Sequence, residues 1–114
     1  MQALKLDLSS QKDIHRFAKE VNSTFDKIHF LINNAGILMN KGGKRVNSAD
    51  GYEMVMATNY FGTFTLTNLL LDKIKSSGVP GAPIRSICLG FDALKALPES
   101  LPQIWLKCLP EKPY

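Results

Sequence analysis

Ile28-His29-Phe30-Leu31-Ile32-Asn33-Asn34-Ala35-Gly36 is the stretch on which the fold turns. Its first five residues form a short apolar run, long enough for a buried strand. Two asparagines, an alanine and a glycine then end it. Upstream, Leu4, Leu6 and Leu8 alternate with Lys5 and Asp7, the period-two pattern of another strand. Between these runs, Ser10 followed by Asp13 reads as a helix start. After it, Ile14, Phe17, Ala18, Val21 and Phe25 recur at helical spacing on one face. Downstream, Asp50 with Glu53 opens a longer helix reaching about Ser76, apolar nearly all round. A third strand fits Ile84–Leu89. The order β-α-β-α-β implies parallel strands joined by right-handed crossovers, half of a doubly wound α/β sheet. Ligands of such sheets bind outside the carboxyl ends of the strands. That is where Asn33-Asn34-Ala35-Gly36 stands.

The chain has 114 residues, enough for one small domain. With 45% hydrophobic and 21% charged residues it reads as globular, which excludes collagen-like and coiled-coil classes. No apolar run approaches the roughly 20 residues of a membrane span. The first residues lack the pattern of an export signal, so a cytoplasmic location is expected. The sequon Asn22-Ser23-Thr24 is then silent. The net charge of +4 is mild. Its densest cluster, Lys41-Gly42-Gly43-Lys44-Arg45, reads as a solvated loop and not a nucleic-acid patch. Cys88 and Cys108 fit neither a disulfide framework nor a zinc spacing, and His15 and His29 lack companion ligands, so no metal is expected. All six prolines fall between Pro80 and Pro113. The shift divides the chain into residues 1–90, a partial α/β domain, and 91–114, an atypical tail. The tail is expected to be irregular, with at most one short helix through Leu94, Leu97, Leu101 and Trp105.

Over residues 3–85 the chain resembles the short-chain dehydrogenase/reductase family, and within it the retinol-dehydrogenase-like branch. The resemblance rests on Asp7-Leu8, on Asn33-Asn34-Ala35-Gly36, and on Asn59-Tyr60-Phe61-Gly62-Thr63-Phe64 followed by Leu66-Thr67-Asn68-Leu69-Leu70-Leu71. It implies a partial Rossmann-like fold binding NAD or NADP. It implies that Asp7 contacts the adenine amino group and that Leu8 lies along the ring. It places Asn34, Ala35 and Gly36 at the cofactor, with Asn33 and Asn34 bracing the sheet. It makes Asn59 the helix-bending asparagine that links solvent to the catalytic lysine. The implied substrates are small lipophilic alcohols or carbonyls, such as retinoids. The family pairs this long helix with its copy, so self-association through residues 50–76 is expected, with Phe61, Phe64, Leu69 and Ile74 as the exposed stripe. Gly62 is expected to serve close helix packing.

The sequence also departs from the family. Its glycines at 36, 42, 43, 51, 62, 78, 81 and 90 do not give the family's TGxxxGxG turn, which brings pyrophosphate to a helix N-terminus. Tyr52 is followed four residues on by Met56, and Tyr60 by Phe64, so Tyr-x-x-x-Lys is absent. Cys88-Leu89-Gly90-Phe91 stands where a serine is expected. The pattern from about Ser86 onward reads as sequence from another frame or exon. The expectation is an oxidoreductase fragment inactive alone; the alternative is an interaction module that docks on a full-length family member.

Overall fold

The computed structural model describes residues 3–38, 43–78, 85–88 and 104–107. It contains α1 (Gln11–Thr24), β1 (Phe30–Asn33), α2 (Met54–Met56), a π-helical segment (Ala57–Gly62), α3 (Thr63–Ser77), β2 (Arg85–Cys88) and β3 (Ile104–Lys107). The expectations for Lys41, Gly42, Ile84, Leu89, Leu94, Leu97, Leu101 and Cys108 lie outside the described residues.

The helix α1 starts where the capping pattern placed it. The Ser10 hydroxyl accepts from Asp13 N at 3.3 Å, an interaction worth about 1 kcal/mol. A carboxylate from far along the chain joins it: Gln11 N donates to Asp50 Oδ2 at 2.8 Å. Asp50 was expected to open the long helix. Instead it caps α1, where the helix dipole favours a negative charge. Glu53 caps the long helix, accepting from Val55 N at 3.0 Å and Met56 N at 2.9 Å. The helix therefore begins at Met54, because the preceding residues fold back on themselves. Ser48 N donates to Tyr52 O, Met54 N donates to Val46 O, and Gly51 takes φ +83° in the turn between.

Ile14, Phe17, Ala18 and Val21 of α1 are buried, as expected for its apolar face, in one core with Leu8, Ile28, Leu31, Leu66, Leu70 and Ile74. A fully buried residue such as Leu66 or Leu70 contributes about 1.5–3 kcal/mol. The last turn of α1 holds no basic residue. Lys73 of α3 supplies one from outside, its Nζ donating to Asn22 O at 2.7 Å and to Phe25 O. This satisfies carbonyls that a helix end leaves open. Ser77, buried at the end of α3, accepts from Ile28 N at 2.9 Å and so fixes the approach to β1.

The sheet order is β2-β1-β3. The strands β1 and β2 are parallel, with Phe30 opposite Arg85 and Asn33 opposite Cys88. The strands β1 and β3 are antiparallel, with Asn33 opposite Ile104. The described sheet is therefore mixed and not wholly parallel. The third expected strand forms as Arg85–Cys88. The expectation of an irregular or helical tail is corrected at Ile104–Lys107. Pro102 and Pro110 leave little room for a helix, whereas Ile104-Trp105-Leu106 has strand-prone side chains and β1 offers a free edge.

Leu4–Leu8 is corrected too. Its burial alternates as a strand's would: Leu4 and Leu6 are half-buried, Leu8 is buried, Lys5 and Asp7 are exposed. Yet it joins no ladder among the described residues. Side chains take its backbone groups instead, Arg16 at Lys5 O and Asp13 at Asp7 N.

Candidate functional site

The carboxyl end of β1 is fastened to the long helix at two points. Asn33 Nδ2 donates to Thr67 Oγ1 at 3.2 Å, and Thr67 Oγ1 donates to Thr63 O at 2.8 Å. Beyond the strand, Ile37 N donates to Asn59 Oδ1 at 2.8 Å and Asn59 Nδ2 donates to Ile37 O at 2.9 Å. The Asn59 amide thus serves Ile37 as a neighbouring strand would. Between these anchors lie Asn34, Ala35 and Gly36. Ala35 packs against the core. Asn34 is 6% exposed, and its Oδ1 has no partner among the described residues. A buried acceptor left open costs about 1–3 kcal/mol.

Asn59 sits inside the π-helical segment. Such a turn displaces the helical ladder and frees a carbonyl. The Thr63 hydroxyl lies 2.9 Å from Asn59 O and 3.1 Å from Tyr60 O, donating between them. Gly62 closes the segment against Leu8: a Cβ there would collide with the Leu8 carbonyl oxygen and lie 3.0 Å from Ala57 O. Leu8 itself is 5% exposed, its side chain in the core. Asp7 is exposed, and its Oδ1 accepts from Ser9 N at 2.9 Å and Ser9 Oγ at 2.7 Å. The structure therefore places the Asp7–Leu8 corner and the Asn33–Ile37 segment against the same helix.

Thr63, Thr67 and Ile37 were not singled out from the sequence. The signal was present: Asn59, Thr63 and Thr67 form a polar row four residues apart through an apolar helix. No cluster of three metal-binding side chains occurs among the described residues. No helix among the described residues is long and apolar enough to cross a membrane.

Removing the Asn59 amide leaves both Ile37 groups open. Asn59→Ala is expected to lower stability by about 1–3 kcal/mol, read as a lower urea midpoint. An unchanged midpoint would show that the pair contributes nothing.

Two carboxylates are held below their ordinary range. At Asp13 the leading cause is the hydrogen bond from Arg16, followed by that from Asp7 N. At Glu53 it is the backbone bonds from Val55 and Met56. A depressed folded-state value gives stability present above the unfolded value and lost as pH falls through the folded one. Loss should begin near the ordinary values, 3.8 for Asp13 and 4.5 for Glu53. Urea midpoints at pH 7 and pH 3 should differ less in Asp13→Asn/Glu53→Gln than in the parent chain.

A profile of the short chain dehydrogenase family matches residues 1–82. The chain belongs to the short-chain dehydrogenase family. It is 45% identical to mouse retinol dehydrogenase 11 over 85 residues, which cover 75% of this chain and 25% of that protein. It is 42% identical to human polyprenol dehydrogenase over 84 residues, 74% of this chain and 24% of that protein. Among solved structures it is similar to the Pseudomonas aeruginosa RhlG/NADP active-site complex. That match has a TM-score of 0.60 at 28% identity and covers 78% of this chain and 34% of the other. An uncharacterised protein from Mycobacterium paratuberculosis matches with a TM-score of 0.52 at 37% identity, over 61% of this chain and 24% of the other. The chain thus spans about a quarter of the curated relatives it matches. The family match ends at residue 82, close to where the sequence pattern changes.

Proposed function

We propose that the chain carries the adenine and ribose side of an NAD(P)-dependent oxidoreductase site for retinoid-like or other lipophilic alcohols and carbonyls, and that alone it is catalytically inactive. The observation that carries the reading is that the segment after β1 is pinned at Asn33 and Ile37 to the same long helix that meets the Leu8 carbonyl. Asn34, Ala35 and Gly36 lie between those pins at the carboxyl end of the strand, where ligands of such sheets bind. Asp7 is the adenine-side residue, with Leu8 beside it turning its side chain into the core, and Asn34, Ala35 and Gly36 are the ribose-side ones. Asn59 is the helix-bending residue, a role supported by its place in the π-helical segment. The cofactor, when bound, supplies the hydride. This chain's own residues would bind and orient; none stands as a Tyr-x-x-x-Lys proton donor. NADH and NADPH titrations followed by amide shifts test the reading. Shifts at Asn34–Gly36 and at Asp7–Leu8 support it, and a silent spectrum overturns it.

A second reading is favoured by the outer face of the long helix: an interaction module that docks on a full-length relative or on its own copy through residues 50–76. Phe64 is 63% and Tyr60 58% exposed, with their rings stacked 6.4 Å apart. Tyr52 and Met56 are exposed beside them, and the Phe61 ring lies 4.9 Å from Tyr52. The stripe differs from the expected one. Ile74 belongs to the core and Leu69 packs against it, because α3 turns that side toward α1. Phe64→Glu should therefore keep the fold and reduce association in sedimentation, whereas Ile74→Glu should unfold the chain. A wild-type chain that sediments as a monomer at tens of micromolar would sink the self-association.

A further inference from the structure

The corner at Asp7 is held from behind by a linked pair of side chains. Asp7 N donates to Asp13 Oδ2 at 2.7 Å. Asp13 Oδ1 accepts from Arg16 Nε at 2.7 Å. Arg16 Nη2 donates to Lys5 O at 2.7 Å, and Nη1 to Glu20 Oε2 at 2.8 Å. The guanidinium therefore spreads over three partners, one of them the backbone two residues before Asp7. An exposed ion pair by itself contributes little to stability. Here its geometric effect is larger: it fixes the backbone on both sides of Leu6.

The network also decides what the corner can recognise. Asp7 N is spent on Asp13, Ser9 N on Asp7 Oδ1, and Ser10 N on Asp7 O. Three neighbouring donors are thus consumed internally. Asp7 Oδ1 is engaged by Ser9, whereas Oδ2 has no partner among the described residues. An exposed, acceptor-only oxygen remains. It suits a base that presents an amino group and disfavours one that presents a carbonyl.

We propose that Asp13 and Arg16 are positioning residues that hold the Lys5–Asp7 backbone so that Asp7 selects a 6-amino purine over a 6-oxo purine. This rests on the reading of Asp7 as the adenine-side residue. Neither Asp13 nor Arg16 touches the base; both act through the Asp7 backbone. Arg16→Lys cannot replace the fork, because an ammonium lacks its planar, divergent donors.

The test titrates AMP, IMP and ribose 5-phosphate into the full chain and into Arg16→Met and Asp13→Asn, following amide shifts. The wild type should bind AMP at least fivefold more tightly than IMP. Both variants should weaken AMP five- to tenfold and bring the AMP-to-IMP preference close to one. Ribose 5-phosphate should bind all three chains alike. AMP binding that is unchanged in the variants overturns the inference. So does an equal weakening of AMP and ribose 5-phosphate, which would mark a role in stability alone. Unfolding of both variants overturns it on the same ground. A wild type that binds ribose 5-phosphate but discriminates no purine overturns the assignment of Asp7. A wild type that binds no nucleotide at all overturns the cofactor reading, and this inference with it.

Discussion

Retinal and NADPH incubated with the purified chain should give no more retinol than a heat-killed control. The expectation follows from the sequence and from where the structure puts the described tyrosines. The family's chemistry needs a hydroxyl with a lowered pKa within hydrogen-bond reach of the substrate's carbonyl oxygen. Tyr52 and Tyr60 are the only tyrosines among the described residues. The Tyr52 ring is tilted against Phe61, and Tyr60 lies on the outer helix face. Neither has a lysine four residues on. Losing general acid–base assistance alone costs about 10²–10⁴-fold in rate. Loss of pyrophosphate anchoring would lower occupancy further. Retinol formation clearly above the control, growing with chain concentration, would show that another group moves the proton.

Replacing Gly62 by alanine should destabilise the chain, and replacing it by valine should unfold it. In an ordinary helix, Gly→Ala gains about 1 kcal/mol. Here the new methyl meets the Leu8 carbonyl, with Leu8 C and Ala57 O both at 3.0 Å. Those atoms are backbone and cannot rotate away. Overpacking of this kind costs about 1–3 kcal/mol, which exceeds the propensity gain over most of that range. A domain of this size holds only about 0.05–0.15 kcal/mol per residue, so valine's extra bulk leaves little margin. Thermal unfolding by circular dichroism checks both substitutions. A Gly62→Ala chain melting at or above the parent would mean that the helix shifts off Leu8 without loss.

The sequence made the helices legible and the sheet only partly so. Ser10, Asp13 and the face from Ile14 to Val21 placed α1 correctly, because caps and helical spacing are local effects. The start of the long helix was misplaced. Asp50 and Glu53 carry the same capping chemistry, and only the tight turn at Gly51 decides which cap serves which helix. The pairing of β3 was not legible, since an antiparallel partner for β1 is chosen by the free edge and not by the pattern of residues 104–107. At the candidate site, Asn33-Asn34-Ala35-Gly36 and Asn59 stood out by their chemistry. Their linkage did not, because Asn59 reaches Ile37 through the backbone and no side-chain type at position 37 announces it.

The central place of β1 carries a consequence for synthesis. Phe30 pairs with Arg85 on one side and with Lys107 on the other. Both partners lie far downstream, so a ribosome adding about 5–20 residues per second releases β1 several seconds before its last neighbour. During that interval α1 can already form, as its Ser10 cap and helical spacing are local. Phe30-Leu31-Ile32 cannot, and its unpaired backbone is open to any passing strand. The yield of folded chain should therefore depend on how crowded the nascent strand is, and slower translation after residue 33 should lower it.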